Sequence, residues 1–331
     1  MRPADVSAGS LIFGVDIGGT KVEAALVDSR GRIAASSRRP AGVQATPEQV
    51  VADLAAWVKE VQVGAPGNRI VGMGLGVAGQ VDQATGTVRQ SPNLRGWSNV
   101  PIREMLERAI RIPTFVMNDV QAATWGEWKL GAGVGVSDMV CLFVGTGVGG
   151  GVVSGGRMLS GTSGSAGELG HTVLDYRGPT CRCGNSGCLE AHVGGWAIAL
   201  RAQQAVVADP GAGSAMLAIA EGVTEAITAE TVAGAAHRGN TLAQRLVAEV
   251  GEALGAGVAS AVNAFNPTVV VLGGGVVEGI PELVDMAREG VRRRALPSAR
   301  DSVNVVKARL GHHAGVVGAA LLTLQRLQGG T

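Results

Sequence analysis

Asp16-Ile17-Gly18-Gly19-Thr20-Lys21 stands between two apolar, β-rich runs, Leu11–Asp16 and Val22–Asp28. The turn Ser29–Arg32 leads into a third run, Ile33–Ser36, so this region reads as three antiparallel strands joined by tight turns. Glycines at a hairpin tip let backbone N–H groups approach a phosphate, and Thr20 adds a hydroxyl donor. Lys21 can add charge, and Asp16, acidic at a strand end, suits a magnesium ion or its water shell. One such hairpin is ordinary. The arrangement returns, however, as strand 138–144, the glycine turn Gly145–Gly151 and strand Val152–Ser154. Two copies, one per half, favour phosphate hairpins on a duplicated α/β unit, with Gly145-Thr146-Gly147 repeating the arrangement in the second half.

Working outward, Thr46-Pro47 reads as a helix N-cap followed by proline at the first helical position, with the helix running to about Val61. Arg69–Val77 is a glycine-laced buried strand, Pro101–Ile110 a helix, Thr114–Met117 a short strand and Asp119–Leu130 a helix. The second half adds helices at about 188–204 and 240–264, strand Thr268–Leu272, and a helix from Pro281. Strand Val303–Val306 and a final helix Val316–Leu327 close the chain. The expected division is a small α/β domain, 1–118, joined by the C-terminal helix 315–331, and a large α/β domain, 119–314.

Composition excludes several classes. The 331 residues carry 28 Lys+Arg against 27 Asp+Glu, so no general field draws the chain to nucleic acid or an acidic membrane. Aromatics are 3%, too few for base stacking, and the 46% apolar content provides a core. The outlier is glycine, 52 residues, without a collagen period. No secretory or membrane-spanning segment is read, and the expected location is the cytoplasm. Gly74–Gly79 and Gly145–Gly150 match G-x-G-x-x-G, but neither opens a helix as a dinucleotide fold requires.

His171, Cys181, Cys183 and Cys188 are spaced as three thiolates and one imidazole of a closed tetrahedral zinc shell, with Gly184 and Gly187 allowing the tight loop. Four protein ligands leave no open position, so the zinc is expected to be structural. Cys141 lies in an apolar strand and reads as a small buried residue.

These motifs resemble, in order and over nearly the whole chain, the ROK family (repressors, open reading frames, kinases). The resemblance rests on Asp16–Lys21, Asn118-Asp119, Gly145–Gly151, Glu168-Leu169-Gly170-His171, and the run from Cys181 to Glu190. It looks like the bacterial glucokinase branch. It implies a duplicated actin-like ATPase (ribonuclease H-like) fold of two domains with a cleft, and ATP-dependent, magnesium-dependent phosphorylation of a hexose 6-hydroxyl. On sequence alone Asp119 is as readily a helix N-cap as a catalytic group; the resemblance makes it the general base. It makes Asn118, Glu168, His171 and Glu190 sugar ligands, with Gly79 and Asn93 on the substrate side. It places Asp16, Gly18, Gly19, Thr20, Lys21, Gly145, Thr146, Gly147, Gly274 and Gly275 at the nucleotide. A homodimer or homotetramer is implied; that no nucleic acid or membrane partner is expected rests on the composition above.

The chain departs from the family pattern near the sugar. Gly76-Val77-Ala78-Gly79 replaces Gly-x-Pro-Gly, and Val120-Gln121 replaces an Asn-Ala pair. An amino-sugar kinase, for N-acetylmannosamine, N-acetylglucosamine or kanosamine, therefore stands beside glucokinase. Polyphosphate stands as an alternative donor. A sugar-responsive repressor is disfavoured because only ten residues precede the first strand, and a silent sugar binder because Asp16, Asp119 and both hairpins are intact.

Overall fold

The computed structural model describes residues 9–18, 21–40, 46–64, 69–91 and 94–329, apart from the side chains of 21, 40 and 62–64. In the N-terminal part, β1 (Ser10–Ile17), β2 (Lys21–Asp28) and β3 (Ile33–Pro40) form the expected antiparallel meander. β4 (Arg69–Val77) pairs parallel to β1. A small sheet of β5 (Gln80–Asp82), β6 (Thr87–Gln90) and β7 (Ser98–Val100) precedes β8 (Thr114–Asn118), which pairs parallel to β4. The order is β3-β2-β1-β4-β8.

The second half repeats this plan. β9 (Met139–Val144), β10 (Val148–Ser154) and β11 (Arg157–Met158) are antiparallel, and β12 (Val269–Gly273) and β13 (Asn304–Lys307) extend the sheet in parallel. The order β11-β10-β9-β12-β13 matches the first sheet strand for strand in position and direction. This is the duplication expected from the two glycine hairpins.

Two compact units result. The first holds residues through Gly135, Ser160–Ala166 and the chain from His312 onward; the second holds Val136–Leu159 and Gly167–Gly311. The expected boundary after Asn118 is therefore displaced to Gly135. The reason is packing: helix Asp119–Leu130 lies against the C-terminal helix Ala314–Leu327, so it stays with the first sheet. A Cβ on Gly318 would stand inside the Ala122 carbonyl, and Cβ atoms on Gly14 and Gly74 would stand inside the carbonyls of Val316 and Ala319. Glycines in strands and helix alike thus let the C-terminal helix lie flush on β1, β4 and its partner helix. Gly318→Ala should cost about 3 kcal/mol or more, because the obstacle is backbone. Urea unfolding reads this as a lower midpoint at unchanged slope.

Each unit has its own apolar core. Phe13, Val15, Met73, Leu75 and Trp57 anchor the first; Val140, Leu142, Val258, Val270 and Leu272 anchor the second. In the second unit helices Thr241–Phe265 and Leu283–Arg294 cross where Gly255 meets Gly290. Two expected elements differ in detail. β10 begins at Val148, so Gly149–Gly151 are strand and not turn. The helix expected over 188–204 is two, Leu189–Val193 and Gly195–Ala208, separated at the extended Gly194. No described helix is long and apolar enough to cross a membrane.

Candidate active site

In the first unit the parallel strands β1, β4 and β8 end at one edge, where α/β folds place ligands. Asp16 is the penultimate residue of β1, Gly79 follows β4, and Asn118-Asp119 join β8 to the helix Asp119–Leu130. The N-cap of that helix is Asn118: its Oδ1 accepts from Gln121 N at 3.0 Å. Its Nδ2 donates to Gly79 O at 3.1 Å, which holds the turn after β4 to the end of β8. Asp119 is thus relieved of capping. It is the first helical residue, and its Oδ1 accepts from Val120 N at 2.9 Å.

Asp16 and Asp119 come together at either side of Gly76, which pairs with Asp16 on β1 and with Met117 on β8. A Cβ there would lie 3.3 Å from Asp119 Cα and 3.5 Å from Asp16 Oδ1. Asp16 is half-buried as a residue, but its Oδ1 is fully buried and has no hydrogen-bond partner among the described residues. Its other oxygen, Oδ2, lies against the first turn of the C-terminal helix, where a Cβ on Gly315 would come within 2.5 Å. The positive end of that helix favours the anion. Burial, with the Asp119 and Glu23 carboxylates adding to it and Arg38 opposing, holds the Asp16 carboxyl well above the usual range. Two neighbouring carboxylates, one with an orphaned buried oxygen, fit a hard divalent cation. Gly18 closes β1. Gly19, Thr20 and Asn93 lie outside the described residues; Lys21 opens β2, with its side chain outside the description.

In the second unit the equivalent edge carries Gly145-Thr146-Gly147 after β9 and Gly274-Gly275 after β12. Gly145 N donates to Gly147 O at 2.9 Å and closes the turn. Gly195 N and Trp196 N donate to the carbonyls of Gly145 and Thr146 at 2.9 and 3.1 Å. This is why the helix breaks at Gly194. In a trans peptide the N–H points opposite to its C=O. Pinning those two carbonyls to the protein therefore turns the Thr146 and Gly147 N–H groups away from it, as an anion nest requires. Gly274, at φ +91°, passes so close to Val144 that no side chain fits.

Glu190 is tied to this hairpin. Its Oε2 accepts from Val148 N at 2.9 Å, and its Oε1 accepts from Trp196 Nε1 at 3.2 Å and lies 3.7 Å from Cys181 Sγ. Cys181 Sγ is 3.8 Å from His171 Nδ1, and Cys183 Sγ is 3.7 Å from Cys188 Sγ. All four donor atoms lie within 4.8 Å of one another. Gly184 and Gly187, at φ +92° and +72°, shape the loop, and Cys181 N donates to Asn185 O at 2.7 Å. Burial pushes the Cys181 thiol up to about 12, so the cluster holds protons that a cation must displace. Glu168 immediately precedes the 3-10 turn Leu169–His171. Desolvation raises its carboxyl above the ordinary range, with His171 opposing and Glu190 adding; the residue is exposed overall, so the push is modest.

The sequence-predicted residues thus fall into two sets, one per unit. Three participants were not foreseen: Trp196, which shares Glu190; Gly315, which accommodates Asp16; and Gln121 in a new role. Gln121 is buried, accepts from Gln83 Nε2 at 2.7 Å and donates to Gly164 O at 2.8 Å. A glycine in the first turn of a helix is poor for propensity, and in that sense Gly315 carried a signal.

The paired sheets and their edge sites define an actin-like ATPase fold. The ROK family matches residues 12–326, and the chain belongs to that family. It is 35% identical over 311 residues to a glucokinase of Streptomyces coelicolor, covering 94% of this chain and 96% of that protein. It is also 35% identical over 313 residues to an N-acetylmannosamine kinase of Shigella flexneri, covering 94% and 97%. A solved ROK glucokinase of Streptomyces griseus, in complex with glucose and AMPPNP, superposes with a TM-score of 0.83 at 34% identity, covering 95% of this chain and 99% of that one.

Proposed function

We propose that this protein is an ATP-dependent hexose kinase that phosphorylates the sugar 6-hydroxyl, with glucose as the first candidate. The observation that carries this reading is Asp119, released from helix capping by Asn118 and set beside the orphaned oxygen of Asp16. Phosphoryl transfer to a hydroxyl needs a base for the attacking oxygen and positive charge at the phosphates. Asp119 accepts the hydroxyl proton and Asn118 binds a neighbouring hydroxyl; Glu168 and His171 are further sugar ligands on the ground of the family resemblance alone. Magnesium, held through Asp16, supplies charge neutralisation at the transferring phosphoryl group. The Thr146 and Gly147 N–H groups take a phosphate oxygen, and Gly274-Gly275 leave room for the nucleoside.

Glu190 was expected at the sugar. Its contacts favour a second duty, fastening the phosphate hairpin to the zinc cluster. Glu190→Gln turns one acceptor into a donor facing Val148 N–H or Trp196 N–H. We expect the KM for ATP to rise about tenfold, with the KM for sugar altered less; steady-state kinetics in both substrates reads the difference.

His171 Nδ1, Cys181, Cys183 and Cys188 suit zinc in a closed structural site, and reduced thiols of this kind belong in a cytoplasmic protein. The family resemblance favours a homodimer or homotetramer, which light scattering reads directly. An amino-sugar kinase is the second reading, because the N-acetylmannosamine kinase of Shigella flexneri is as similar as the glucokinase. The deciding experiment measures ADP release from magnesium-ATP with glucose, mannose, N-acetylmannosamine, N-acetylglucosamine and kanosamine. The sugar with the highest kcat/KM is the substrate; no stimulation by any sugar would overturn the kinase reading.

A further inference from the structure

We propose that Glu23, His312 and His313 form a second metal site, separate from the cysteine cluster, for a borderline transition-metal dication such as Zn2+. Glu23 lies on β2 directly across from Asp16 on β1 and is only 6% exposed. His312 and His313 occupy the 3-10 turn Gly311–His313 that leads into the C-terminal helix. His313 Nδ1 is 2.6 Å from Glu23 Oε1, and the His312 ring lies over the His313 ring with centroids 3.9 Å apart. One donor atom from each of the three residues lies within 4.8 Å of the others. The first unit brings them together from chain positions nearly 290 residues apart.

Two imidazoles and a carboxylate suit zinc, nickel or cobalt and not magnesium, which prefers an all-oxygen shell. In a tetrahedral site with bonds of about 2.0–2.2 Å, donor atoms stand about 3.3–3.5 Å apart. His313 Nδ1 and Glu23 Oε1, now 2.6 Å apart, would part by about 0.7–0.9 Å to admit the ion, and the His312 donor, within 4.8 Å of both, would close by at most about 1.5 Å. His312 is exposed, so its ring can swing inward at small cost. The electrostatic setting favours a cation. Glu23 and Asp16 face each other across the strand pair, Asp119 adds its charge to theirs, and Asp16 Oδ1 is unpartnered among the described residues. Arg38, whose Nε is 3.7 Å from Glu23 Oε2, partly offsets this charge and competes with a bound ion. The opposing interpretation is a plain ion pair between Glu23 and a protonated His313, with no metal affinity.

The test uses the full chain, stripped of metal and dialysed against micromolar free zinc, and counts zinc per chain. The expected result is one equivalent fewer in the double variant His312→Asn, His313→Asn than in the wild type. Cys183→Ser with Cys188→Ser should lose a different equivalent, so failure of the cysteine cluster and failure of this site are distinguishable. Neither count depends on kinase activity. Arg38→Gln removes the competing cation and should tighten the histidine site about tenfold, a gain that misfolding cannot imitate. A double-histidine variant with wild-type zinc uptake overturns the proposal, as does an Arg38→Gln chain whose histidine site binds zinc no more tightly.

Discussion

Replacing Asp119 by asparagine should lower kcat by about 10²–10⁴-fold, the usual contribution of a positioned general base. The substitution is nearly isosteric. The amide oxygen still accepts from Val120 N, and the helix keeps its cap at Asn118. What disappears is the proton acceptor and one of the charges that raise Asp16. The KM for sugar should therefore move little while kcat collapses. Stability should rise slightly at neutral pH. The folded pKa of Asp16 lies above its unfolded value, so ionising Asp16 in the folded state costs stability; the cost is full above the raised pKa and shrinks as pH falls through it toward the unfolded value. Removing the Asp119 charge reduces that cost. Steady-state kinetics with thermal melts at two pH values check both parts. Full activity in Asp119→Asn would place the base elsewhere.

The second large effect is expected at the cluster of His171, Cys181, Cys183 and Cys188, proposed above as a zinc site. Cys188 is fully buried, 3.7 Å from Cys183 Sγ, and cannot be replaced by solvent. Cys188→Ser should abolish tight zinc binding at this cluster. Metal binding and folding of such a segment are coupled, so the melting temperature should fall. The consequence for catalysis follows a short path: Cys181 adjoins Glu190, Glu190 holds Val148 N and Trp196, and Trp196 N holds the Thr146 carbonyl. Loosening that path should disorder the turn 145–147 proposed to hold the phosphates, and kcat/KM for ATP should drop about 10²-fold or more. Zinc content by atomic absorption, a melt and ATP kinetics test it together. Wild-type ATP kinetics in a zinc-depleted variant would separate the cluster from the hairpin.

Motif order revealed more than local pattern did. Asp16–Lys21 and Gly145–Gly147 were readable as a repeated hairpin because both sit between β-rich runs, and the sheet orders bear out the duplication. Element positions were mostly close, since long apolar periodicity survives in one sequence. The helix expected over 188–204 misled for a tertiary reason: Gly195 and Trp196 turn their N–H groups to the carbonyls of residues 145 and 146, which no local pattern encodes. The boundary at Asn118 misled similarly, because the C-terminal helix holds 119–130 to the first sheet.

The sequence by itself determined the chemistry available: which carboxylates, thiols and glycines stand in which order, and hence the family, the duplicated fold and a four-ligand metal motif. Tertiary structure decided which partners those groups take. It gave the helix cap to Asn118 and not to Asp119, and it set both oxygens of Glu190 on the hairpin and Trp196. It also set Glu23 against His313 across the length of the chain. The physical reason is that a side chain's identity fixes what it can donate or accept. Its partners are fixed by close packing, here by glycines such as Gly315, which lets the Asp16 carboxylate approach the C-terminal helix where a Cβ would keep it away.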